Sequence, residues 1–143
     1  MSQFVLNEWF WHDLYGDNGD AAQHVTARVI QRLANSQHQI VIARGEAFDT
    51  KAWKLCTIRP ILGKAFVLML RQDSDRCLLL DRNALPPEPP WAMELVKPDD
   101  RYLIRTCLGV PGSTLVTSDH PLIEVVTRHG ISAVLRDDFL ANL

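Results

Sequence analysis

Five short apolar runs, each followed by a segment of helical length, constrain this chain more than any other feature of its sequence. "QFVLN" (3–7) is too short for a helix and reads as a strand. "HQIVIA" (38–43) is a continuous run rich in β-branched residues, the pattern of a strand buried on both faces. "DRCLLLD" (75–81), "STLVTSD" (113–119) and "ISAVLR" (131–136) complete the set. Strands that alternate with helices predict a parallel sheet covered on both faces. The expected architecture is therefore α/β, a three-layer α/β/α sandwich around a central, mainly parallel sheet of about five strands. The length of 143 residues suits a single domain, 1–143, with a full core.

The intervening segments carry helical signals. In 20–36, Ala22, Val25, Val29 and Leu33 recur at helical spacing, and Asp20 with Gln23 forms an N-terminal capping signal. Segments 46–56 and 61–72 read as two helices separated by Pro60. The stretch 83–96 holds four of the eight prolines and reads as a loop or extended connection. In 99–109, Leu103, Ile104, Cys107 and Leu108 form an apolar stripe, and Gly109 suits a C-terminal cap. Segment 120–130 has Pro121 in its first turn, His129 in its last and Gly130 just beyond. A short helix is expected in 137–143. Trp9, Phe10 and Trp11 read as core and helix packing rather than as a base-stacking platform.

Composition narrows the function. The net charge of −2 lacks the footprint of tight, non-specific nucleic-acid binding, although a local basic patch can sit within a neutral total. Cys56, Cys77 and Cys107 are odd in number, far apart and set in apolar sequence. They read as buried thiols in a reducing compartment, not as a disulfide framework or a zinc site. The five histidines include no pair at the spacing of a zinc helix. Neither a signal peptide nor a membrane-length apolar run is visible, so the expected location is the cytoplasm, with no membrane partner.

In open parallel sheets ligands gather at the carboxyl ends of the strands. Asn7 and Glu8 follow the first run. Arg44, Glu46 and Asp49 follow the second. Asp99 and Asp100 open the helix before the fourth, and Thr117, Ser118 and Asp119 close it. Acids from at least three segments thus aim at one edge of the sheet. Mutually repelling carboxylates call for a cation, and oxygen donors of this kind suit Mg²⁺ or Mn²⁺. That is the requirement for metal-assisted cleavage of a phosphodiester. Arg44, Arg101 and Arg105 are candidate phosphate contacts. The opposing readings are simple. Asp119 and Asp100 can cap helices, and Glu46 and Asp49 are acids suited to a helix dipole.

The segment "DRYLIRTCLGVPGSTLVTSDHPLIEVVTRHGISAVLRDDFL" (100–140) resembles the PIN domain family, small metal-dependent nucleases that include many toxin–antitoxin ribonucleases. It has an acid opening a helix, a strand closing on Thr-x-Asp, a further helix, a Gly, and a last strand near an acid–Phe. Asp100 and Asp119 fall on the family's two late acids, and Thr117 on its frequent threonine. Earlier in the chain the likeness is looser. Asn7 stands where the family carries its first metal-binding Asp, with Glu8 next to it, and Glu46 and Asp49 compete for the acid after the second strand. The resemblance implies a Mg²⁺/Mn²⁺-dependent ribonuclease acting on single-stranded RNA and restrained by a small antitoxin protein, and it is compatible with a homodimer. Asn binds a hard cation less strongly than Asp. Either Glu8 substitutes, or the site is weakened, or the domain has lost catalysis and serves as a protein- or RNA-binding module. A phosphatase of another α/β type is disfavoured, because no Asp-x-Asp follows the first strand.

Overall fold

The structure, a computed structural model, describes residues 1–143. Five strands form one sheet: β1 (Gln3–Leu6), β2 (Gln39–Arg44), β3 (Cys77–Asp81), β4 (Thr114–Thr117) and β5 (Ser132–Leu135). Every pairing is parallel and the order is β3-β2-β1-β4-β5. β2 is buried from Ile40 to Ala43 because helices cover both of its faces, whereas the edge strands β3 and β5 are only partly buried.

Eight α-helices fill the connections: α1 (Trp9–Tyr15), α2 (Asp20–Ala34), α3 (Ala47–Ile58), α4 (Pro60–Phe66), α5 (Pro90–Leu95), α6 (Arg101–Gly109), α7 (His120–Arg128) and α8 (Arg136–Asn142). Parallel crossovers are right-handed, so connections that step in opposite directions along a sheet lie on opposite faces. The packing obeys this. α1 to α4 pack among themselves, and α8 returns to α2. On the other face α5 packs on α6, and Trp91 of α5 stacks on His129 at the end of α7, with centroids 4.2 Å apart. The protein is thus a three-layer α/β/α sandwich. No helix is long and apolar enough to cross a membrane.

Phe10 and Trp11 are fully buried and meet Phe48 of α3 and Phe66 of α4 at 4.8–6.0 Å between centroids. This aromatic cluster joins α1, α3 and α4 behind the sheet. Trp9 faces the strands instead, and its indole N–H donates to the Val116 carbonyl of β4 at 2.9 Å. Burial pushes the Cys77 and Cys107 thiols up to about 12, so both stay protonated and inert, and all three cysteines are free.

Several local readings change. The buried stripe of α2 is Thr26, Val29, Ile30 and Leu33, while Val25 is 47% exposed. Asp20 does not cap α2; its N-cap is Gly19, and Gln23 donates to the Leu14 carbonyl. Beyond α4 the helix continues as a π-helical segment, Val67–Arg71. The proline-rich stretch contains α5, because Pro90 occupies the first turn, where the missing N–H has no helical partner to lose. Gly109 is the last residue of α6, and Val110 is its cap.

Candidate active site

The chain moves from β1 to β2 and β3 on one side, then crosses to β4 and β5 on the other. Strand order therefore reverses between β1 and β4, and the crevice at their carboxyl ends is the favoured ligand position of such sheets. Leu6 pairs with Val116, so Asn7 and Thr117 emerge side by side. The Asn7 amide Nδ2 donates to Thr117 Oγ1 at 3.0 Å, and the Asn7 side-chain carbonyl accepts the Glu8 N–H at 2.7 Å. Thr117 is fully buried and its oxygen also accepts the Asp119 N–H at 3.2 Å. One hydroxyl thus couples the two strand ends.

Asp119 does cap α7, with Oδ1 accepting the Leu122 N–H at 3.1 Å. Its second oxygen is left over from that bond. Asp100 behaves differently. A 3₁₀ turn, Pro98–Asp100, delivers it to the start of α6, yet its side chain does not cap the helix. It is half-buried, and burial raises its pKa above the ordinary carboxylate range. The charges of Asp119 and Glu8 raise it further, Lys97 pulls it down by less than either, and Asp99 adds the least. Carboxylates from three separate elements therefore share one field.

Glu8 projects from the start of α1 and pairs with Lys51 of α3 at 3.0 Å. Glu46 lines the same cavity as Glu8. Asp49 is taken elsewhere: it is buried, bonds Arg71 through both oxygens at 2.8 and 3.3 Å, and accepts the Gly45 N–H at 2.9 Å. The two acids do not share a helix face, because Glu46 is an extended N-cap residue (φ −79°, ψ 172°) outside the helical repeat. Gly45, at φ +82°, makes the turn that throws Glu46 toward the crevice.

The cavity holds about 430 Å³. Its walls come from the start of α1 (Glu8), the start of α3 (Glu46, Lys51) and the start of α6 (Asp99, Tyr102, Arg105), with Glu88 of the proline-rich stretch at the rim. That stretch is held in place by arginines. Arg105 donates to the carbonyls of Pro86, Leu85 and Arg82, and Arg101 donates to those of Val96 and Met93. Both therefore serve as braces, not as free phosphate contacts, while Arg44 remains exposed.

No protein-family model, curated protein or solved structure matches this chain. The chemistry must be read from the residues alone. The anionic groups that act on Asp100 are the carboxylates of Asp119, Glu8 and Asp99, with Lys97 opposing them, and carboxylate oxygen is the chemistry a hard dication selects. Asp100 keeps a half-buried carboxylate with no cap to satisfy it. The set suits Mg²⁺ or Mn²⁺ in donor type, although no three His, Cys, Asp or Glu side chains stand already gathered as a metal centre.

Sequence reasoning passed over three residues. Lys51 and Tyr102 lie within helices and carry no motif. Asp13 is fully buried, where Thr26, Asn18 and Arg136 surround its carboxylate at 2.7–2.8 Å. Its main partner lies 123 positions away, so no local pattern could have announced the pair.

Proposed function

We propose that the protein is a PIN-like, Mg²⁺/Mn²⁺-dependent ribonuclease that cleaves phosphodiesters of single-stranded RNA. The observation that carries the reading is the raised, uncapped Asp100, whose carboxyl feels both Asp119 and Glu8 across the β1/β4 switch point. Structural acids are usually paired or capping; Asp119 caps α7 and Glu8 pairs with Lys51, whereas Asp100 does neither and keeps a carboxylate free for a ligand. Asp100, Asp119 and Glu8 would hold the metal. Bound there, it would supply an activated water and offset charge on the phosphate. Glu46 adds a carboxylate at the cavity edge, and Lys51 restrains Glu8. Thr117 fixes Asn7 and the Asp119 backbone in register. A small antitoxin-like protein and a homodimer belong to the same proposal.

Calorimetric titration of Mn²⁺ tests it. Wild type should bind, and Asp119→Asn, which keeps a cap for Leu122, should lose that binding. Unchanged binding in the variant would remove Asp119 from the site.

One observation favours a second reading, a PIN-like binding module without catalysis. The Asn7 carbonyl, the oxygen that would replace the family's first carboxylate, is already used by the Glu8 N–H, and Glu8 is already paired with Lys51. On this reading the protein binds RNA or a protein partner yet cleaves no RNA with any divalent metal.

A further inference from the structure

Exposed apolar residues are not spread evenly over this protein. Nine large hydrophobic side chains stand at the surface, and five of them fall between residues 53 and 69: Trp53 and Ile58 of α3, Ile61 of α4, and Leu68 and Met69 of the π-helical segment. Single exposed residues need no explanation, but a group on one surface marks a contact site. α3 and α4 pack closely at Cys56 and Gly63. Along the second helix Gly63, Phe66, Val67 and Leu70 are buried, which turns Ile61, Lys64, Leu68 and Met69 outward. Trp53 reaches the end of that helix, where Arg71 lies over its ring at 5.1 Å. The charge on this surface has one sign. Residues 47–72 contain five lysines and arginines and a single acid, Asp49, in a chain whose net charge is −2. Asp49 is buried and spent on Arg71, and Lys51 is spent on Glu8. Lys54, Arg59 and Lys64 form no ion pair. The next acids along the chain, Asp73 and Asp75, stand past the end of the helix.

Charge and shape together select the occupant. A second copy meeting this face through its own would set like charges against each other. A partner protein seats apolar side chains in pockets, and none of the five main cavities is lined by any of the five residues. The face protrudes instead. Ile61 is 87% exposed at the turn between the helices, with Arg59 two residues before it and Lys64 three after. Apolar tips among unpaired cations suit an anionic lipid surface, which yields to a convex face and needs no pocket. We propose that the outer face of the α3–α4 hairpin docks on anionic membrane lipid. Trp53, Ile61 and Leu68 enter the headgroup boundary while Lys54, Arg59 and Lys64 meet lipid phosphates. Docking of this kind requires no spanning segment. It is independent of the nuclease reading.

The test is flotation of the purified full chain with vesicles of phosphatidylcholine alone and of an equal mixture of phosphatidylcholine and phosphatidylglycerol. EDTA is present throughout, so that no dication bridges the protein's acids to lipid. Wild type should float with the mixed vesicles only, and raised salt should release it. Ile61→Asp and Lys64→Glu should each weaken that binding roughly 10- to 30-fold. Their melting midpoints should stay unchanged, since both side chains are exposed. Arg128→Glu, on α7 in the opposite layer, should bind nearly as wild type does. Absence of flotation, equal flotation with phosphatidylcholine alone, or unchanged binding by Ile61→Asp and Lys64→Glu would overturn the proposal. A loss as large in Arg128→Glu would also overturn it, because net charge and not this face would then be the cause. So would a wild-type dimer in light scattering that Ile61→Asp dissociates, which would assign the face to a second copy.

Discussion

At position 7 one amide decides how the acids beside it behave. Asn7 donates to Thr117, so the β1 end is held by neutral hydrogen bonds instead of by a further charge. Asn7→Asp would place another carboxylate next to Asp119 and Glu8. The expected outcome is a lower melting midpoint without metal and a tighter Mn²⁺ titration, the two effects having one cause. Asp100 allows a sign to be worked out. Its folded pKa lies above its unfolded one, so the folded state holds the proton over that window. Stability therefore falls as pH rises from the ordinary Asp range through the raised value, and stays lowered at neutral pH. Asp100→Asn should melt above wild type at pH 7. The gap should close in melts below about pH 4, the ordinary Asp value, and Mn²⁺ should no longer stabilise the variant. The late acids were legible in the sequence because strand ends and helix starts announce themselves locally. The choice of Glu46 over Asp49 was not, since it turns on one extended N-cap residue and on Arg71, 22 positions farther along.

Between elements, close approach sets the largest energetic terms. α3 and α4 meet at Gly63, where an added Cβ would stand 2.5 Å from the Cys56 Cα and 2.7 Å from its N. Backbone cannot yield as a side-chain tip can, so Gly63→Ala should cost about 2 kcal/mol in urea unfolding, despite the helix propensity of alanine. α1 and α8 are tied by Asp13 and Arg136, with Arg136 also lying over the Trp9 ring. Arg136→Ala leaves a fully buried carboxylate with only Thr26 and Asn18 for support. About 3 kcal/mol of stability should be lost, again read from urea unfolding. Most helices were visible in the sequence, but their orientation was less so. The stripe Ala22, Val25, Val29 and Leu33 fits helical spacing as well as the observed one, which the packing of Thr26 and Ile30 rotates inward. α5 was hidden by its prolines, two of which simply sit before and at its first turn.

Across the whole molecule, alternation of strands and helices was enough to expect a parallel, three-layer sandwich, because few other folds bury such runs. The strand order was not legible, since β1 lies between β2 and β4 only once the long crossover before β4 is placed on the opposite face. That order carries the functional proposal: it brings the ends of β1 and β4 together, so that the charges of Asp119 and Glu8 reach Asp100. The most direct measurement is cleavage of end-labelled single-stranded RNAs of varied sequence by the purified protein, in Mn²⁺ and in EDTA, with Asp119→Asn alongside. The account predicts cutting that requires Mn²⁺, stops in EDTA and falls to background in the variant. Intact RNA under every metal condition, or cutting that persists unchanged in Asp119→Asn, would contradict it.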